Sequence, residues 1–186
     1  GKYYGLGVLG RYRLGDTCLE GSLRAGKTEV SWDSIKGGYQ DSAIYVGGHL
    51  GAGYKLPVGI PSAGFTIYGK YLYGHTGRMQ GVLSGLEYQF KAVDSHRSKL
   101  GIHTEYGVRV KPYLDLAWEH EFSGEAKAIV TNLASGITAP SIKGDTGVLE
   151  LGCGWQKYGW YSKLGVSGTV GVRRGISGVV RVGYSF

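Results

Sequence analysis

Apolar and polar residues alternate at period two along most of the chain, the pattern of β-strands with one apolar and one polar face. The final stretch is the plainest case. Val180, Val182, Tyr184 and Phe186 fall on one face, and Arg181, Gly183 and Ser185 on the other. The same rule predicts strands over Lys2–Leu14, Cys18–Trp32, Ala43–Leu56, Phe65–His75, His96–Val110, Tyr113–Phe122, Val148–Lys157 and Trp160–Val172. Tight turns are expected at Gly15-Asp16, Lys111-Pro112, Tyr158-Gly159 and Arg174-Gly175. Asp33–Ser42 reads as a polar loop and Ser123–Asp145 as a long connection rich in small residues. Arg78–Ser95 fits either a separate strand or a hairpin extension standing above a barrel, and we favour the extension. The total is about nine strands, or ten if Gly81–Val93 is separate.

Composition sharpens this picture. Glycine supplies 35 of 186 residues, far above the usual ~7%, without a collagen period. Such strands can tilt, curve and pack closely. No apolar run of ~18 residues predicts a membrane helix, and a mean hydropathy of −0.12 does not argue against a transmembrane barrel, whose strands are only half apolar. Aromatics gather at strand ends (Tyr4, Tyr12, Tyr54, Phe65, Tyr73, Trp155, Trp160, Tyr184, Phe186), as in two interfacial girdles. The expected fold is all-β: an antiparallel up-and-down transmembrane β-barrel. A soluble ligand-binding barrel would turn the same faces inside out.

The net charge of +7 is spread singly over alternate positions, without a basic run or nucleic-acid motif. On this reading the inward, pore-lining charges are Arg11, Arg13, Glu20, Arg24, Lys55, Lys70, Arg97, Lys99, Glu105, Arg109, Asp115, Glu119, Glu121, Glu150, Lys163, Arg173 and Arg181. Each can simply pair across strands; as a set they keep a lumen wet. Glu119, Glu121 and Asp115 could raise one another's pKa and act as acids or bases. An ion-pair ladder with Arg97, Lys99 and Arg109 is the stronger reading. His120 falls on the outer face. Cys18 and Cys153 are read as two free small residues rather than a disulfide, and neither they nor the histidines have metal-ligand spacing. No signal peptide is visible, and the chain opens directly on a strand at Lys2-Tyr3-Tyr4, as if cut from something longer.

Several stretches resemble the autotransporter (type V secretion) β-domain. They are Tyr3–Arg13; Gly21-Ser22-Leu23-Arg24-Ala25-Gly26; Ser95-His96-Arg97-Ser98-Lys99-Leu100-Gly101; Pro112-Tyr113 followed by Ala117-Trp118-Glu119-His120-Glu121-Phe122; and the closing Gly183-Tyr184-Ser185-Phe186. Their order and spacing carry the resemblance over essentially the whole chain. It implies a roughly twelve-stranded outer-membrane barrel in a Gram-negative bacterium, with a helix through its pore and an N-terminal passenger exported to the cell surface. Residues 1–186 would be the C-terminal part of that translocator, with about three strands and the helix upstream. The implied partners are the chain's own passenger and linker helix, outer-membrane lipids and the barrel assembly machinery, but no nucleic acid. Val180, Val182, Tyr184 and Phe186 would be the assembly signal. Some members cut their passenger within the barrel, using an asparagine of the helix and lumen acids. For this chain the resemblance implies transport rather than catalysis, with no cofactor. The alternative is a porin- or adhesin-like barrel without a passenger.

Overall fold

The structure is a computed structural model that describes residues 1–34, 37–83, 86–131 and 135–184. In chain order its strands are β1 (Lys2–Leu14), β2 (Thr17–Ser34), β3 (Gly37–Leu56), β4 (Ala63–Thr76), β5 (Met79–Leu83), β6 (Leu86–Phe90) and β7 (Val93–Tyr106). There follow β8 (Val110–Glu121), β9 (Glu125–Val130), β10 (Ser135–Ser141), β11 (Gly144–Lys157), β12 (Trp160–Gly171) and β13 (Gly175–Tyr184). Nine of them form one antiparallel sheet in the order β1-β2-β3-β4-β7-β8-β11-β12-β13, curled into a half-barrel. The other four make a second sheet, β10-β9-β6-β5.

The main sheet is the up-and-down barrel topology expected from the alternation. Gly15-Asp16 closes the first hairpin, with Leu14 opposite Thr17. Tyr158 and Gly159 both take positive φ, 51° and 80°, as a two-residue turn between twisted strands requires.

Four sequence expectations are corrected. Asp33–Ser42 is not a loop: β2 and β3 stay paired from Thr17↔Tyr54 out to Ser34↔Gly37. Backbone pairing continues where the apolar face has ended, so alternation could not mark it. Lys111 and Pro112 lie inside β8, and the turn falls at residues 107–109. Pro112 pairs with Cys153 of β11, and the ladder to β7 begins only at Tyr113, so its missing N–H leaves no β7 partner unmet. Arg109 therefore sits in a turn, not on a strand. Finally, the 123–145 connection contains a short hairpin, β9–β10, while 78–95 forms the favoured hairpin extension, β5–β6. These hairpins pair with one another through β6 and β9, with Phe90 opposite Ala128.

The connections sort by end. Residues 15–16, 57–62, 107–109 and 158–159 turn at one end. The β2–β3 extension and both hairpin excursions rise from the other, where the short β12–β13 turn at residues 172–174 also lies. There the Gln80 N–H donates to Asp41 Oδ2, tying β5 to β3. Ala43 of β3 and Ala128 and Val130 of β9 are buried toward this end.

Several polar-face tyrosines lie across glycines of neighbouring strands. A Cβ on Gly101 would meet the Tyr68 ring, one on Gly152 or Gly165 the Tyr113 ring, and one on Gly183 the Tyr161 ring. These glycines let each ring lie against the sheet instead of standing off it. At Gly152 the added atom would also strike the Leu164 carbonyl, whereas at Gly183 the three nearest atoms all belong to the Tyr161 side chain. Gly152→Val is expected to cost about 1–3 kcal/mol, and Gly183→Ala clearly less. The urea midpoint of folded-band migration on a gel would measure both.

Candidate functional site

The polar residues converge on the concave face of the main sheet, around a cavity of about 930 Å³. Of the charges picked out by alternation, Arg11, Arg13, Glu20, Lys55, Lys70, Lys99, Glu105, Asp115, Glu150, Lys163 and Arg181 line this cavity. Period two delivers them there because antiparallel register keeps one parity of every strand on one face.

Its acids are tied in local networks. Glu20 holds Lys70 at 2.5 Å, Arg11 at 3.1 Å and His49 at 3.4 Å. Asp115 accepts from Tyr68 Oη at 2.6 Å and faces His103 Nδ1 at 3.2 Å. Glu150 accepts from Tyr113 Oη at 2.7 Å, and Lys163 stands 3.5 Å from the same carboxylate. Glu105 pairs with Lys111 at 3.6 Å. Lys70 and Lys99 are direct cross-strand partners, an arrangement that costs energy when uncompensated. Lys70 goes to Glu20 and Lys99 to Glu119, so each charge has its own counter-ion.

A second cluster sits toward the end bearing the hairpin excursions. Glu119 binds Lys99 at 3.3 Å, Arg97 at 3.6 Å and also Arg173. Glu121 is 1% exposed and accepts from Ser95 Oγ at 2.7 Å, the His96 N–H at 2.8 Å and Arg97 Nε at 3.2 Å. The ladder read from sequence thus exists with Arg97 and Lys99 but without Arg109. Arg173 replaces it across the sheet. Arg24 lies over the Tyr45 ring at 5.2 Å. Arg13, Lys55 and Arg181 line the cavity without an ion-pair partner among the described residues. Asp115, Glu119 and Glu121, the three candidate acids or bases, are all engaged in these networks.

Tyr68, Tyr113, His49 and His103 were not singled out by sequence as members of the site. Their alternation put them on the polar face, but only cross-strand register reveals which carboxylate each meets. The cysteines take opposite faces: Cys18 lines the cavity, while Cys153 shares the outer parity of Leu149 and Leu151 and is exposed.

The other face is apolar and open. Leu6 is 88% exposed, Leu23 75%, Leu50 73% and Val180 75%. A protein folded for water buries such side chains and exposes its carboxylates; here the order is inverted. The soluble-barrel reading needed these faces to point inward, and they point outward. An apolar exterior around a charged, cavity-lining interior is the arrangement of an outer-membrane barrel. In line with this, the chain matches the family description "Autotransporter beta-domain" over residues 1–164.

The chain belongs to the autotransporter β-domain family. No curated protein sequence matches it. The autotransporter β-domain is an outer-membrane translocator barrel rather than an enzyme fold, and strands rather than helices supply the spans. Among the described residues no helix is long and apolar enough to cross a membrane. In this β-domain Val180, Val182 and Tyr184 lie exposed along β13, with Tyr184 edge-on to Trp160 at 5.2 Å between ring centres. Phe186 lies outside the described residues.

Removing the Glu121 carboxylate takes the nearer of two partners from Arg97 and leaves the Ser95 and His96 donors without their acceptor in a nearly dry position. Glu121→Ala should therefore lower unfolding stability by about 3 kcal/mol. Glu20→Ala should cost less, because Arg11 keeps 57% of its side chain in water. Denaturant midpoints of the refolded barrel compare the two.

Proposed function

We propose that this chain is the C-terminal part of a translocator that anchors an N-terminal passenger in the outer membrane of a Gram-negative bacterium and exports it to the cell surface. The observation that carries the reading is the pairing of faces: exposed leucines and valines on one side of the sheet, and a charge-lined cavity on the other. The predicted pore-lining residues other than Arg109 are the wall of a hydrated path. Fixed ion pairs hold most of their side chains against that wall, which leaves the centre of the path for polypeptide.

The inequality of the two ends supports a direction. Short turns belong on the periplasmic side of such barrels and long connections outside. On this reading the β2–β3 extension and the second sheet stand at the cell surface. Arg13, Lys55 and Arg181 are the cations left for the passenger's linker helix to meet. Closure of the sheet then depends on strands supplied beyond β1, since open edges are not tolerated in lipid.

We assign β13 a second role, in assembly. An alternating strand with an unpaired outer edge can add to the edge of another sheet. Val180, Val182, Tyr184 and Phe186 would present that edge and its apolar side chains to the barrel assembly machinery.

The test uses the full-length parent with an epitope on its passenger. Protease added to intact cells should remove the epitope, while the β-domain stays in the outer-membrane fraction and shifts mobility on boiling. Deleting Phe186 should reduce the folded, heat-modifiable fraction several-fold. A folded outer-membrane barrel whose passenger stays inside the cell would instead support a pore without export.

A further inference from the structure

Where β7, β8 and β11 leave the apolar band, the outer surface carries a basic cleft that the transport reading does not use. It has a volume of about 390 Å³ and is lined by Lys91, Lys127, Lys143, Phe122, Asp94 and Glu125, among others. The backbone builds it firmly. Lys91 N–H donates to the Lys127 carbonyl at 2.8 Å, and Ser123 Oγ donates to the Asp94 carbonyl at 2.8 Å. The Phe122 N–H donates to the His96 carbonyl at 2.8 Å, holding Phe122 at the top of the apolar face.

Both acids of the cleft are occupied. Asp94 faces His75 Nδ1 at 2.8 Å and accepts from Tyr73 Oη at 3.1 Å, and Glu125 pairs with Lys127 at 3.1 Å. Lys91 and Lys143 are exposed and have no carboxylate partner among the described residues. Below the cleft an aromatic column runs into the apolar band. Phe122 lies 4.6 Å from His120, and His120 lies 5.8 Å from Trp118, between ring centres.

We propose that this cleft binds the phosphorylated headgroup of an outer-leaflet lipid, its acyl chains lying along Phe122 and Trp118. The inference rests on the membrane-barrel reading, with the hairpin end outward. The chemistry is that of an interfacial anchor: free ammonium groups at the height where a lipid phosphate sits, directly above the aromatic ring level. A soluble anion would use the lysines alone. The continuity of the lysines with an aromatic column, whose His120 also faces Asp145 at 2.8 Å, selects a lipid.

The experiment uses the full-length parent refolded in neutral detergent. It is titrated with mixed micelles containing diphosphorylated lipid A, the same lipid after phosphatase treatment, or phosphatidylcholine. Retention of the diphosphorylated lipid should exceed that of either control. The triple variant Lys91→Gln, Lys127→Gln, Lys143→Gln should retain it about ten-fold less. Lys157→Gln, at the short-turn end, should retain it like the parent. Equal retention by triple variant and parent would overturn the proposal, as would displacement by inorganic phosphate at the concentration at which the lipid itself competes. Heat-modifiable migration is scored on every sample. Its loss in the parent would strike the barrel reading, whereas its persistence with unselective lipid retention strikes the cleft alone.

Discussion

An N–H or C=O group without a partner in hydrocarbon costs several kcal/mol, and the rest of this molecule follows from avoiding that cost. Antiparallel ladders join every neighbouring pair in the nine-stranded sheet. Once the backbone is satisfied that way, side chains are free to be apolar outside and charged inside. Among the described residues the buried hydrophobic side chains are only Ala43, Tyr113, Ala128 and Val130. Three of these lie toward the end that bears the second sheet. The spanning sheet is held by its ladders, its inner ion pairs and its Tyr–Gly contacts, not by an oily centre.

That division explains why the inner charges are so densely cross-linked. A wet cavity screens exposed ions, so isolated pairs across it would add little. Glu121 and Glu119 sit out of that water against the wall, where each gathers several donors. The tyrosines extend the principle: Tyr68 and Tyr113 reach Asp115 and Glu150 along the sheet surface, over glycines that leave them room. The wall is therefore built largely before anything enters the path.

The spanning strands were legible in the sequence because lipid on one side and water on the other impose period two. β1 was read with its observed limits, and the alternation of β3 ran unbroken from Ala43 to Leu56. Above the membrane that contrast is lost. The outer half of the β2–β3 hairpin and the strands β9 and β10 pair by backbone without a repeating side-chain signature, so they read as loops, whereas the alternation of Leu86, Tyr88 and Phe90 marks the β5–β6 extension. Within the site, inner parity was readable and partner choice was not. Whether Arg97 meets Glu121, or Tyr113 meets Glu150, depends on strand register and side-chain reach. Parity also extended too far at Arg109, where the strand had already turned.

The second sheet has a consequence for how the barrel comes to hold a single register. β6 hangs between β4 and β7, and β9 between β8 and β11, yet the two pair residue by residue. A two-residue slip of β8 against β7 would keep every side chain on its proper face and would be invisible to the lipid. It would also carry β9 past β6 by roughly 7 Å and break the ladder between them. The small sheet thus works as a vernier on the large one, locking in the alignment that hydrophobicity alone leaves degenerate.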